Sequence, residues 1–110
     1  MVNMMDLFEK LREVQSKMKE TQENLSRMKI EAESGAGMVK AVVNGQKKLL
    51  ELQIDDDLYK PENKDMLKDL VVAAVNKALL EADSMAKEEI RKSAGGILPN
   101  IPGLDLSGLV

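Results

Sequence analysis

The chain has 110 residues, 44% hydrophobic and 32% charged, with no cysteine, histidine or tryptophan. That length suits a single domain, and the apolar fraction is that of a globular protein. Without cysteine there is no disulfide scaffold, thiolate metal site or thiol nucleophile, and without histidine the commonest metal ligand and neutral-pH base are gone. The expectation is a protein that is not an enzyme and takes no metal, cofactor or small-molecule substrate.

The 16 basic and 19 acidic residues leave a net charge of −3, which by itself argues against nucleic acid. No apolar run approaches the ~18–20 residues of a membrane span and no signal-peptide pattern opens the chain. A cytosolic protein without a membrane partner is expected. Phe8 and Tyr59 are the only aromatics, too few for a surface that stacks single-stranded bases.

A first helix is predicted over Met4–Met28. Met4, Leu7, Leu11, Val14, Met18, Thr21, Leu25 and Met28 alternate at spacings of three and four, a heptad seam interrupted only at Thr21. Most of the positions between are charged or polar. Such a helix, about 37 Å long, needs another helix against its seam.

Ile30–Ser34 alternates apolar and polar and reads as a short strand, and Ser34-Gly35-Ala36-Gly37 as the turn that follows. Two further apolar runs, Met38–Val43 and Gln46–Ile54, flank Asn44-Gly45. Asn-Gly between such runs predicts a two-residue type I′ hairpin turn. In that register Val43 faces Gln46, Ala41 faces Lys48 and Val39 faces Leu50. Val39, Ala41, Val43, Leu50, Leu52 and Ile54 then share a core-facing side, whereas Met38, Val42 and Leu49 share a partly wet side with Lys40, Lys47, Glu51 and Gln53.

A loop through Asp55-Asp56-Asp57 and Lys60-Pro61-Glu62 leads to a second helix, with Asn63 as its N-cap, that runs to about Ser93 and stops at Gly95-Gly96. Leu70–Val75 is apolar on every side of that helix, so full burial is expected there. One sheet and one helix cannot supply it, which predicts a second copy. The expected dimer interface is Val39, Ala41, Val43, Leu50, Leu52, Ile54, Leu70, Val71, Val72 and Val75. Residues 1–96 form the domain. Residues 97–110, rich in proline, glycine and leucine, form a tail that docks in a groove or stays mobile.

The acidic triplet lacks the spaced ligands and distal glutamate of a calcium loop and reads as a solvated turn. Gly35-Ala36-Gly37 lacks the third glycine of a phosphate loop and reads as a hairpin turn. The mixed charge of the first helix argues for partner-helix packing over membrane contact, and Met4, Met18, Met28 and Met66, on core-facing stripes, read as gap-filling residues. If the helices pack antiparallel, Lys10, Arg12, Lys17 and Lys19 gather with Lys87, Arg91 and Lys92 on one projecting prong, with the Asp55 acids at the opposite end. These seven are the candidate DNA contacts, against the plainer reading of a solvated helix pair. Thirteen of the 16 basic residues are lysine, which meets phosphate as a point charge and implies weak sequence preference.

Gly35–Gly45, Leu52-Gln53-Ile54-Asp55, Met66–Ala78 and the closing Gly95-Gly96, in that order and spacing, resemble the YbaB/EbfC family of nucleoid-associated proteins over most of the chain. The resemblance implies an α+β protomer of order α-β-β-β-α with a small three-stranded antiparallel sheet. It also implies a tweezer-like homodimer that embraces double-stranded DNA in the bacterial nucleoid and affects nucleoid organisation and gene expression. Asp56 stands where the pattern commonly has proline, a change that loosens the loop before the second helix. A prefoldin-like holdase or protein-interaction module is the alternative.

Overall fold

The computed structural model describes residues 3–95. The tail of residues 97–110, the boundary drawn at residue 96 and the Gly96 stop lie outside them. The order is α1 (Met4–Arg27), β1 (Ile30–Ser34), β2 (Val39–Val43), β3 (Leu49–Ile54), two 3₁₀ turns (Asp56–Tyr59 and Pro61–Asn63) and α2 (Lys64–Gly95). The sheet is an antiparallel meander of order β1-β2-β3. The molecule measures 71 × 25 × 16 Å. Its radius of gyration, 19.6 Å, compares with about 13 Å for a compact 100-residue domain.

The elongation follows from where α2 finds partners. Its first half lies on β1 and β2, and its last turns meet the end of α1. Ala74, Ala78 and Ala82 are fully buried against Val39, Ala41, Val43 and Leu58. Four-residue spacing keeps these alanines on one side of the helix, and their small side chains let its backbone approach the sheet. Ser34 Oγ donates to the Leu70 carbonyl at 2.6 Å and fixes β1 to α2. Further along, Ala86 and Ile90 bury Leu25. Thr21, the break in the heptad, is 1% exposed. Its hydroxyl donates to the Lys17 carbonyl at 2.8 Å and shares a hydrogen bond with Ser93 Oγ at 2.7 Å, so the polar atom is satisfied inside the seam.

The hairpin differs from the expectation. β2 and β3 pair as Val39↔Ile54, Ala41↔Leu52 and Val43↔Leu49, with a bulge at Val42/Val43. Five residues, Asn44–Lys48, make the loop. Asn44 Oδ1 accepts the N–H groups of Gln46 and Lys48 at 2.9 and 3.0 Å, and Lys47 takes the left-handed conformation at φ 65°. Gly45 serves closeness instead of a positive φ. Its N–H donates to the Leu25 carbonyl at 2.8 Å, and a Cβ there would meet the same oxygen at 2.8 Å. The glycine thus docks the hairpin onto the end of α1, where helix carbonyls lack intrahelical donors. The register moves by four residues from the expected one, an even number, which keeps Leu52 and Ile54 on the side of Ala41 and Val39. Val42, expected on a partly wet face, is 4% exposed between Glu31 and Glu51.

Asp55 accepts from the Asp57 N–H at 2.9 Å and caps the first 3₁₀ turn, whose Leu58 is fully buried. Asp56 holds the first position of that turn, where proline and an acid are both at home, so the departure from the pattern costs the loop little. Asn63, expected as an N-cap, donates instead from Nδ2 to the Asp57 carbonyl at 2.8 Å and ties the loop together.

The expectation of all-round burial for Leu70–Val75 is not met within the protomer. Val72 is 59% exposed, and Leu70, Val71 and Val75 are half-buried. The sheet is one strand wider than the helix that covers it.

Candidate nucleic-acid interface

The seven predicted cations and the open part of the predicted dimer patch occupy different ends of the molecule. Thr21 meets Ser93, and Leu25 meets Ala86 and Ile90, so α1 and α2 run antiparallel over about two turns. Beyond that junction α1 continues for about 25 Å, from Glu20 to Met4, as the outer part of a prong. Every residue from Asn3 to Glu13 is exposed.

All seven predicted cations lie on this prong, but they do not form one patch. Lys10 and Lys17 are seven residues apart on α1 and share a face, as do Arg12 and Lys19. The two pairs are offset by two residues, about 200° around the helix. Lys87 and Arg91 share a face of α2 at four-residue spacing. Three of the seven are held in ion pairs: Lys17 with Glu20 at 3.7 Å, Lys87 with Asp83 at 3.1 Å and Arg91 with Glu88 at 3.4 Å. Lys10, Arg12, Lys19 and Lys92 are exposed. The expected segregation of charge is modest. Residues 3–29 and 80–95 carry nine acids and nine bases, against nine acids and seven bases over residues 30–79.

One feature of the interface was not foreseen. Lys47, in the hairpin loop, reaches Asp83 on α2 at 2.7 Å, so that Asp83 bridges Lys47 and Lys87. The hydrogen bonds from Lys47 and then Lys87 hold the Asp83 carboxyl below its usual value, against a smaller opposing effect of desolvation. Beside this triad Gln46 Nε2 donates to the Gln22 carbonyl at 3.2 Å. Gln22, Leu25, Gly45, Gln46, Lys47, Ala86 and Ile90 enclose a groove of about 220 Å³ where both helices meet the hairpin. The Asp83–Lys87 spacing is visible in the sequence, whereas the reach of Lys47 depends on the five-residue loop.

The predicted dimer residues divide into two sets. Val39, Ala41 and Val43 are fully buried under α2 and have no surface left for a partner. Leu50 and Leu52 on β3 are 45% and 36% exposed, Ile54 is half-buried, and with Val71, Val72 and Val75 they remain at least partly open. β3 is an edge strand that α2 does not cover. Long apolar edges of this kind normally find a partner.

The sequence pattern of the YbaB/EbfC DNA-binding family matches residues 1–97. The chain belongs to that family. This is a DNA-binding family and not a family of enzymes. Similar proteins include a nucleoid-associated protein of Chlorobaculum parvum, 48% identical over 98 residues, which cover 89% of this chain and 86% of the relative. Another, from Syntrophobacter fumaroxidans, is also named a nucleoid-associated protein and is 44% identical over 101 residues, 92% of this chain and 90% of the relative. The fold is similar to that of the uncharacterized protein HP0035 from Helicobacter pylori, with a TM-score of 0.70 at 26% identity. That match covers 87% of this chain and 96% of the other. Among the described residues of this YbaB/EbfC chain, no helix is long and apolar enough to cross a membrane.

Proposed function

We propose that this nucleoid-associated protein binds duplex DNA as a homodimer, through lysine and arginine contacts to phosphate, and thereby affects nucleoid organisation and gene expression. The observation that carries the reading is the pairing of an exposed two-helix prong with an apolar patch left open at the other end. A second copy laid on Leu50, Leu52 and Val72 buries the same patch on both chains, as a two-fold contact requires. The assembly then presents two prongs. A −3 protomer makes a −6 dimer, so long-range attraction to DNA is poor and binding depends on local contacts.

Each neutralised phosphate contributes about −0.9 to the slope of log affinity against log salt, and a handful of contacts gives roughly −2 to −5. A salt-series titration of short duplexes tests this. Replacing Lys17→Gln and Lys19→Gln together is expected to flatten the slope and weaken all duplexes alike. Because the two lysines point to different sides of α1, the single variants should be unequal, and the stronger effect identifies the DNA-facing side. Absence of duplex binding at low salt sinks the proposal. For the dimer, Val72→Glu is expected to give a folded monomer by mass in solution and circular dichroism. A folded monomer of the unmodified chain at micromolar concentration overturns it.

A holdase reading has one observation in its favour. Leu7, Phe8 and Leu11 are 52%, 55% and 50% exposed on the prong, where an unfolded client could lie. Suppression of client aggregation without any duplex binding would support that function.

A further inference from the structure

The anion that Lys47 and Lys87 hold is the protein's own. Their ammonium groups meet different oxygens of Asp83, Oδ1 at 2.7 Å and Oδ2 at 3.1 Å. A phosphodiester presents the same pattern, one negative charge shared by two free oxygens, and lysine meets it as a point charge. All three side chains are between 31% and 40% exposed, so the cluster opens to solvent.

Two observations speak against a mere tether between hairpin and helix. The hairpin is already fastened to α1, by the Gly45 N–H on the Leu25 carbonyl at 2.8 Å and by Gln46 Nε2 on the Gln22 carbonyl at 3.2 Å. A partly exposed ion pair adds little to such a joint. Lys47 also holds the left-handed position of its loop, at φ 65°. Glycine or asparagine takes that conformation with less strain, so a lysine there signals a use for its side chain.

The place suits a ligand that lies along the prong. Asp83, Lys87 and Arg91 recur at four-residue spacing and form one row on α2, rising about 6 Å per step away from the sheet. Lys47 joins the row at its root, where α2 meets the hairpin. Without the Asp83 charge, Lys47, Lys87 and Arg91 are three successive cations.

We propose that Asp83 stands in for a backbone phosphate and screens Lys47 and Lys87 until a duplex displaces it. The hairpin loop is then a DNA contact, and Asp83 limits its strength. This role rests on the duplex-binding reading above and extends it from the prong to the loop at its root.

The full chain and its Asp83→Asn variant are titrated with a short duplex across a salt series, with circular dichroism to compare their folding. The variant is expected to bind about three- to tenfold tighter at low salt, with a slope steeper by about 1–2, since each protomer of the dimer gains one phosphate contact. Adding Lys47→Met is expected to remove most of that gain, as coupled partners require. Glu81→Gln deletes an equal charge on another side of α2 and is expected to gain less than about twofold. Duplex binding by the unmodified chain with no gain in Asp83→Asn overturns the role of Asp83 and leaves the duplex reading standing. An equal gain in Glu81→Gln, or a gain that survives Lys47→Met, reduces the effect to net charge and also overturns it. If Asp83→Asn unfolds the chain, Asp83 is a structural tether and the role falls. No duplex binding by either folded protein defeats both readings.

Discussion

The sheet end and the prong are built from the same two helices on different terms. At the sheet end, α2 packs through alanine against two strands, and Val39, Ala41, Val43, Leu58, Ala74 and Ala78 are fully buried. On the prong, α1 buries only Thr21 and Leu25, and its first ten residues are exposed. Stability is therefore set at the sheet and the junction, while the outer prong is free to carry residues chosen for contact. Charge follows a different division. The prong has equal numbers of acids and bases, so under the proposed DNA-binding role the face it presents matters more than its total charge.

The contrast is broken most severely by placing a charge in the sheet core. Val43→Asp buries an unpaired carboxylate beneath α2 and is expected to cost several kcal/mol, enough to leave the chain largely unfolded. Glu13→Gln on the prong should stay within about 0.5 kcal/mol in the same urea titration. Equal losses would show that stability is spread along the whole molecule.

Gly45→Ala tests the junction. The added methyl meets the Leu25 carbonyl oxygen at 2.8 Å and its Cα at 3.0 Å, so the hairpin must shift away from α1. The expected cost is about 1–3 kcal/mol. At roughly 4–8 °C per kcal/mol for a domain of this size, thermal denaturation resolves it. An unchanged Tm would mean that the hairpin moves without loss.

The smallest expected effect belongs to Asp83. Its carboxyl is held below the usual value of 3.8 by Lys47 and Lys87, so the folded state prefers the ionised form more than the unfolded chain does. The stabilisation is present above 3.8 and is lost as pH falls through the lower folded value. Asp83→Asn is expected to lower the urea midpoint slightly at pH 7, and the difference from the unmodified protein should close in acid. A difference that persists unchanged at pH 2 would assign the effect to packing.

Much of this was legible in the sequence, for identifiable reasons. α1, β1 and α2 are set by local pattern, and the expected strand Ile30–Ser34 is the observed one. The β2–β3 register was not legible. Asn44-Gly45 satisfies a local turn rule, but Gly45 answers to Leu25, twenty residues away, and the left-handed position falls to Lys47. The exposure of Val72 was hidden for a similar reason, since its burial depends on how many strands one helix can cover. At the interface, the prong lysines followed from helix order. Lys47 did not, because its contact with Asp83 exists only once the loop has five residues.

The neighbour-to-neighbour order of the sheet has a kinetic consequence. β1, β2 and β3 are joined only by short reversals, so the meander can assemble from one stretch of chain with little loop-closure cost. The long-range closures are α2 on β1 and β2, and then α2 on α1. Low contact order of this kind goes with fast folding. Docking of α2 on the meander is then the step that fixes the rate, and substitutions at Ala74 or Ala78 should slow folding, while those at Thr21 or Leu25 should chiefly hasten unfolding.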